Sequence, residues 1–159
     1  MLWHTRTRTF DLSRRGVIMG VLNVTPDSFS DGGQWVDFDS AVAHGIEMLA
    51  AGAEILDIGG ESTRPGSVRV SVGEEIARVV PVIKAVTENL DIPLSIDTTK
   101  SEVAEAGIEA GAEIVNDISG LRFDEEIAGV ASRHRAGLIL MHSRGDFETI
   151  HSQPPVENI

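Results

Sequence analysis

The chain has 159 residues, of which 42% are hydrophobic and 24% charged, and its formal net charge is −12. This length fits one domain, residues 1–159, and the composition excludes a protein that is disordered over most of its length. The absence of cysteine excludes disulfides, thiolate metal sites and a cysteine nucleophile. The negative charge argues against a nucleic-acid partner, and no apolar run reaches the roughly 20 residues of a membrane helix. We therefore expect a cytoplasmic protein with neither a nucleic-acid nor a membrane partner.

The first part of the chain predicts a hairpin followed by a buried strand. Residues 5–10 alternate β-branched and charged side chains and residues 11–16 supply a turn, which indicates a short polar hairpin with a solvated edge. Residues 17–23 are almost wholly apolar up to Asn23, and a loop rich in Asp, Ser and Gly follows. This stretch predicts a buried strand that leads into a loop with chemically reactive and polar side chains.

Helical and strand patterns then alternate. Val42, Ile46 and Leu49 predict one apolar helix face, with Asp39 or Ser40 as the N-cap and Gly52 as the end. Ser71 to Glu74 and Thr99 to Glu102 have the spacing of capping boxes, and Pro81 is expected to kink or restart its helix. The remaining predicted elements are strands at 55–58, 93–97, 113–117 and 137–142, and helices from 99 to about 110 and from 124 to 134.

The uninterrupted alternation of strand and helix predicts a parallel sheet. Residues 51–57 and 110–116 are near copies, each joining a helix end to a strand that ends in a polar residue. Repeated strand–helix units favour an α/β fold of the (β/α)8 TIM-barrel family. Since a closed barrel usually needs about 250 residues, we expect this chain, with its roughly five strands, to supply the first half of one and to be truncated at the C-terminus.

Four predicted strands end in polar residues, which are Asn23, Asp57, Asp97 and the pair Asn116–Asp117. Because the carboxyl ends of parallel strands meet at one edge, these side chains predict a binding site there. Asp97 is the strongest candidate, since it directly follows an apolar strand. For Asp57, a structural hydrogen bond inside the sheet remains as plausible as ligand contact. Asp117 is either a ligand contact or a residue that orients Asn116.

Several other kinds of site are excluded by spacing. The Gly-rich segments have neither the Walker spacing nor the Rossmann fingerprint, and the five histidines show no His-Glu-x-x-His pattern. His142 stands at a strand end, where we interpret it as structural.

Five motifs, read in chain order, together resemble dihydropteroate synthase over residues 17–145. They are Met19–Gly33, Asp57–Gly66, Ser95–Thr98, Asn116–Gly120 and Leu140–His142. The first two motifs are long, so that chance agreement in both is remote.

The resemblance implies a transferase of folate biosynthesis, a target of sulfonamides, that condenses p-aminobenzoate with 6-hydroxymethyl-7,8-dihydropterin pyrophosphate and releases pyrophosphate with the help of Mg²⁺. It implies that Asp97 and Asn116 pair with the pterin edge, that Ile118 and Met141 form apolar walls, and that Asn23 lies at the Mg²⁺ and pyrophosphate end. A carboxylate and a carboxamide suit the amide and amino groups of a pterin.

The resemblance also assigns roles in the two loops. Arg64 would contact the pyrophosphate, for which a bidentate cation is suited, and Asp31 would stabilise positive charge that develops on the pterin methylene. Phe29 and Pro65 would wall the aminobenzoate pocket and Thr63 would line it. For Phe29 an anchoring role in the loop, and for Asp31 a role in the Asp-Gly-Gly turn, remain open.

The family carries an Asp, a Lys, an Arg and a His on later strands that have no counterpart here, and the intact family member is expected to be a homodimer. We therefore expect this chain alone to catalyse the condensation poorly or not at all. Two alternatives remain open. One is the methyltetrahydrofolate-binding domain of corrinoid methyltransferases, which the two loop motifs disfavour. The other is a non-catalytic fragment that binds pterin.

Overall fold

The computed structural model of the chain describes residues 1–25, 38–62, 67–150 and 153–154. Two short strands form an N-terminal hairpin, β1 (Leu2–His4) and β2 (Thr9–Asp11). The remaining strands are β3 (Met19–Asn23), β4 (Ile55–Gly59), β5 (Leu94–Asp97), β6 (Ile114–Asp117) and β7 (Gly137–Leu140). The helices are α1 (Phe38–Ala50), α2 (Val72–Asn89), α3 (Ser101–Ala110) and α4 (Glu126–His134). None of the helices in these described ranges is long and apolar enough to cross a membrane.

Strands β3 to β7 form one parallel sheet of five strands in chain order, with one helix between each pair of neighbours. The predicted alternation and the predicted parallel pairing are therefore confirmed. One face of the sheet packs against the helices through fully buried side chains such as Leu22, Leu56, Ile58 and Ile96. The opposite face carries the residues at alternate positions, among them Asp57 and Asp97.

The N-terminal hairpin is present, but its turn lies at residues 5–8 and not at 11–16 as predicted. It is also not simply a solvated edge. Thr5 is buried and its hydroxyl donates to Glu113 Oε2 at 2.8 Å, while the Thr7 backbone N–H donates to the same oxygen at 3.2 Å. The hairpin is thus fixed to the start of β6 by a carboxylate that the sequence pattern did not single out.

Helix α1 packs against the core with part of the predicted apolar face, since Val42 and Leu49 contact the core. Ala41 and Gly45 are buried, whereas Ile46 is 51% exposed. A side chain at Gly45 would place its Cβ 3.1 Å from Leu56 Cδ1, so the glycine lets the helix approach β4 closely and turns Ile46 away. The helix begins at Phe38, so Asp39 and Ser40 lie within it and neither is the predicted cap.

Two predicted features of α2 have different outcomes. The Ser71 hydroxyl accepts from the Glu74 N–H at 3.2 Å, which confirms the N-cap. The helix runs without interruption from Val72 to Asn89 through Pro81, so the predicted restart is wrong. Buried residues on both sides of the proline, Val79 and Ile83, compensate for the one backbone hydrogen bond that Pro81 cannot donate.

The second predicted capping box is wrong. Helix α3 begins at Ser101, and Lys100 occupies the N-cap position without a side-chain capping bond. The Asp124 carboxylate caps the helix from outside, accepting from the Ser101 N–H at 2.7 Å. The Thr99 hydroxyl is used elsewhere, since it accepts from Arg69 at 3.0 Å.

Candidate functional site

Four neighbouring strands place in one row a residue that lies at or next to their carboxyl ends. Asn23 pairs with Gly59, Gly59 pairs with Asp97, and Asp97 pairs with Asn116 in the parallel register. Paired residues of a sheet point to the same face. The structure therefore brings together Asn23, Asp97 and Asn116, three of the residues that the sequence predicts for the site.

Gly59 sets the space between Asn23 and Asp97. A Cβ at this position would lie 3.3 Å from Asp97 Oδ2, so any larger side chain would crowd the carboxylate. With neighbouring strands about 4.8 Å apart, Asn23 and Asp97 are separated by ~10 Å. Sequence reasoning did not assign a role to Gly59; its signal is the Gly-Gly pair that ends β4.

Asp57 lies beneath this row on the same face of β4 and is 2% exposed. Its Oδ2 accepts a hydrogen bond of 2.9 Å from Asn116 Nδ2, so Asp57 makes the structural hydrogen bond that was one of its two predicted roles. Ligand contact by Asp57 stays a prediction. Because the amide NH₂ is engaged with Asp57, Oδ1 of Asn116 is the acceptor left on the other side of the amide. Asp57 and Asn116 occupy equivalent positions in the two near-copied segments.

Burial raises the pKa of Asp57, and the nearby Ser95 hydroxyl and the hydrogen bond from Asn116 oppose this effect. Ser95 lies at the paired position of β5. Nevertheless, neither Ser95 Oγ nor Asp57 Oδ1 completes a hydrogen bond of normal geometry within the described ranges.

Asp97 has the most perturbed acid–base behaviour at this edge. Burial, and then the negative charges of Asp57, Glu75, Asp117 and Glu61, raise its pKa to about 7. A carboxyl group that titrates near neutral pH inside a polar cleft is a common property of functional sites. Asp97 is therefore poised between an acceptor form and a protonated form.

The two predicted apolar residues lie just beyond the row. Ile118 follows β6 and is half-buried, and Met141 follows β7 and is 39% exposed. Their backbones are joined through Asp117, whose carbonyl accepts from the Met141 N–H at 3.1 Å. Ile118 and Met141 thus lie at the same edge as Asn116, Ile118 directly after the strand of Asn116 and Met141 directly after the neighbouring strand β7.

Asp117 itself is a turn residue. It is fully buried, and its carboxylate accepts from the backbone N–H groups of Ser119 at 2.7 Å and Leu121 at 2.6 Å. It shapes the loop after β6, and its hydrogen bonds do not reach Asn116, so the predicted orienting role falls to Asp57 instead. His142 is exposed.

Five predicted site residues lie outside the described residues: Phe29, Asp31, Thr63, Arg64 and Pro65. Their roles stay predictions from the sequence. Among the residues that are described, no group of three or more His, Cys, Asp or Glu side chains could hold a metal ion. In this part of the chain, Asn23 at the exposed end of β3 is the residue that the sequence assigns to Mg²⁺.

Comparison with known proteins agrees with this geometry. Residues 19–158 match the pterin binding enzyme family. The dihydropteroate synthase of Synechocystis sp. is 51% identical over 143 residues, covering 90% of this chain and 50% of that protein. The dihydropteroate synthase of Clostridium beijerinckii is 54% identical over 142 residues, covering 89% of this chain and 53% of that protein. The chain thus spans about half the length of these curated relatives, their N-terminal half.

Solved structures give the same result. Dihydropteroate synthase of Xanthomonas albilineans with 4-aminobenzoic acid superposes with a TM-score of 0.82 at 45% identity, covering 91% of this chain and 52% of that one. The Yersinia pestis enzyme in complex with a sulfonamide drug gives a TM-score of 0.85 at 44% identity, covering 99% of this chain and 57% of that one. Both the predicted half of a TIM barrel and the resemblance to dihydropteroate synthase are confirmed. The chain belongs to the pterin binding enzyme family.

Proposed function

We propose that this chain supplies the pterin-binding half of a dihydropteroate synthase. The observation that carries the proposal is the row formed by Asn23, Gly59, Asp97 and Asn116 at the carboxyl edge of the sheet. In this row a carboxylate and a carboxamide stand on neighbouring strands, where they match the amino and amide groups of a pterin edge. The curated relatives that bear this enzyme's name support the same assignment.

The described residues would act mainly by binding and orienting the pterin. The Asp97 carboxylate accepts from N–H groups of the ring, and Asn116, fixed by Asp57, offers Oδ1 as a second acceptor. Ile118 and Met141 contact the faces of the ring at the same edge. This arrangement would leave the methylene that carries the pyrophosphate free for attack by the aminobenzoate nitrogen.

In the proposed reaction, a C–N bond forms between the aminobenzoate nitrogen and the pterin methylene. The C–O bond to pyrophosphate breaks, pyrophosphate leaves with the electron pair, and the nitrogen loses a proton. Arg64 and Asn23 would bind the leaving anion, and Asp31 would stabilise the developing positive charge, as the resemblance to dihydropteroate synthase implies. Phe29, Thr63 and Pro65 would contact the aminobenzoate.

Asn23 would hold Mg²⁺ together with pyrophosphate oxygens and water. A single carboxamide ligand fits this cation, because Mg²⁺ usually keeps several waters and takes few protein ligands when it binds substrate phosphates. When bound, it would neutralise charge on the leaving group. Location in the cytoplasm, homodimer formation by the intact protein and weak activity of this chain by itself also belong to the proposal.

Calorimetry with 6-hydroxymethyl-7,8-dihydropterin pyrophosphate tests the proposal. We expect measurable binding to the wild-type chain and at least a ~10-fold loss of affinity in Asp97→Asn, because a hydrogen bond to a charged group contributes about 1.5–3 kcal/mol. Asp91→Asn is a matched control, since the Asp91 side chain is 95% exposed. It should bind like the wild type.

Three other outcomes would contradict the proposal or part of it. Absence of binding to the wild-type chain would contradict the proposal. Tighter binding of methyltetrahydrofolate than of the dihydropterin pyrophosphate would instead support the corrinoid methyltransferase alternative. Binding that is equal in wild type and Asp97→Asn would show that Asp97 does not contact the pterin.

A further inference from the structure

A second cluster of charged side chains lies where the segment after β4, helix α2 and the segment after β5 meet. We call it the Lys100 cluster; its members are Glu61, Glu75, Thr98 and Lys100. Lys100 Nζ donates to Glu61 Oε1 at 2.9 Å, to Glu75 Oε2 at 2.5 Å and to the Val70 carbonyl at 2.9 Å. An ammonium group has three N–H donors, so each one has a partner.

The cluster is buried. The exposed fraction of the side chain is 13% for Lys100, 6% for Glu61 and 1% for Glu75. The Thr98 hydroxyl completes the arrangement by donating to Glu75 Oε1 at 2.8 Å. Carboxylates at this depth remain charged only when they are paired and hydrogen-bonded. Removal of the ammonium would take from Glu75 its ion pair with Lys100 and would leave Glu61 with the longer contact to Arg69 Nε at 4.0 Å. A surface ion pair would not have this consequence.

The connections of the cluster join two distant parts of the chain. Glu61 lies two residues after the end of β4 and Val70 lies two residues before the start of α2. The Val70 N–H donates to Glu61 Oε1 at 2.7 Å, and the Val70 carbonyl accepts from Lys100. Both ends of the segment 61–70 are therefore bound to each other and to one ammonium group.

Lys100 follows Asp97 by three residues, on the loop that leaves the site. A neighbouring contact strengthens the junction, because Arg69 donates to the Thr99 hydroxyl at 3.0 Å and stacks on the Phe147 ring at 4.6 Å. The end of segment 61–70 is thus attached twice to the residues that directly follow Asp97.

We propose that Lys100 is a positioning residue that holds both ends of the segment 61–70 at a fixed place relative to Asp97. The inference rests on the proposed function for its consequence, because this segment includes Arg64, the residue predicted to bind pyrophosphate. Lys100 does not touch the pterin itself; it acts through Glu61 and Val70. Its loss should therefore weaken recognition of the pyrophosphate group and leave recognition of the pterin ring intact.

Calorimetry with two ligands separates these effects. We expect Lys100→Met to weaken binding of 6-hydroxymethyl-7,8-dihydropterin pyrophosphate at least ~10-fold, the loss expected from one charge-assisted contact. Binding of 6-hydroxymethyl-7,8-dihydropterin, which lacks the pyrophosphate, should change less than ~2-fold by the same reasoning. Lys84→Met is the matched control, because Lys84 is the other lysine of the chain and is exposed on α2.

Hydrogen–deuterium exchange on the same variants measures directly how firmly the two ends of segment 61–70 are held. Lys100→Met should increase exchange at residues 60–62 and 67–70 together and leave the strand amides of β4 and β5 unchanged. Should Lys100→Met fail to fold, Glu61→Gln keeps an acceptor at the same place while removing one buried charge, and it should show the same pattern with a smaller amplitude. Lys100→Arg, which keeps the charge, should restore part of the pyrophosphate affinity.

The proposed function and the positioning role of Lys100 would be contradicted by different results. If the wild-type chain binds neither ligand, the proposed function fails, while the exchange pattern still decides the role of Lys100. If Lys100→Met weakens the binding of both ligands equally, Lys100 only stabilises the fold and the inference is overturned. The same holds if the variant raises amide exchange uniformly over the sheet. Unchanged binding and unchanged exchange would overturn it as well.

Discussion

At the scale of single residues, Asp97, for which we propose a binding role, also lowers the stability of the fold when it is ionised. Its pKa is raised to about 7 by burial and by the surrounding carboxylates. Unfolding returns the group to an ordinary pKa near 3.8. Between these two values the folded chain binds the proton more strongly than the unfolded chain does. The free energy of unfolding should therefore fall as the pH rises from about 4 to about 7.

Asp97→Asn removes this dependence. Since one pKa unit corresponds to about 1.4 kcal/mol, the variant should be more stable than the wild type above pH 7, by at most ~4 kcal/mol. Near pH 4 the two proteins should differ little in stability, because the carboxyl is then protonated in the folded state and about half protonated in the unfolded state. Urea denaturation at pH 4, 6 and 8 measures the difference in unfolding free energy between Asp97→Asn and the wild type. A gap between variant and wild type that does not grow with pH would contradict the assigned pKa.

At the scale of elements, the N-terminal hairpin is held to the barrel sheet by Glu113. Several donors from the hairpin converge on this carboxylate, including the Thr5 hydroxyl and Arg8 Nε, and these contacts lower the pKa of Glu113 against the opposing effect of burial. Arg6 adds a hydrogen bond of 3.1 Å to the Ile108 carbonyl at the end of α3. The hairpin therefore contributes to the stability of the units around β6.

Thr5→Val should destabilise the chain by about 1.5–3 kcal/mol, because it removes a buried hydrogen bond to a charged acceptor while keeping the volume of the side chain. Thr9→Val is the control. Thr9 is exposed, and the bond that its hydroxyl makes among the described residues lies within the hairpin, to His4 Nδ1 at 2.9 Å. A change below ~0.5 kcal/mol is therefore expected for this surface substitution. Urea denaturation followed by circular dichroism compares the variants. Equal losses of unfolding free energy in both variants would show that the contact of Thr5 with Glu113 contributes no more than the exposed hydroxyl of Thr9.

At the scale of the whole molecule, β3 and β7 border the sheet of described residues. Apolar side chains are exposed along both strands: Val21 is 51% exposed, Leu140 47% and Met141 39%. Unpaired strand edges with apolar side chains promote association. The 159-residue chain is therefore expected to self-associate as its concentration rises.

Sedimentation velocity over a range of concentrations measures this association. Val21→Lys and Leu140→Lys should each shift the population towards the monomer, since charge on an edge strand opposes pairing. Val68→Lys is a control, because Val68 is 84% exposed but lies in the segment before α2 and not at a sheet edge. A wild-type chain that stays monomeric at every concentration would refute the prediction.

Much of the fold could be predicted from local sequence. The order of strands and helices follows from apolar runs that end at Asn23, Asp97 and Asn116, and a parallel sheet follows from their alternation. Helix faces and caps were less predictable, as Ile46 and Thr99 show. Which side of a helix is buried depends on the strand it packs against, and Thr99 binds Arg69 from a segment about 30 residues away.

The sequence by itself determined the identity of the polar strand ends, because a polar residue that closes an apolar run marks the edge of a parallel sheet. Only the tertiary structure decided how these strand ends are arranged relative to one another. The register between strands places Asn23, Gly59, Asp97 and Asn116 in one row, Asp57 beneath Asn116, and Lys100 between the two ends of segment 61–70. Such relations depend on pairing and packing between residues that are tens of positions apart, and local periodicity carries no information about them.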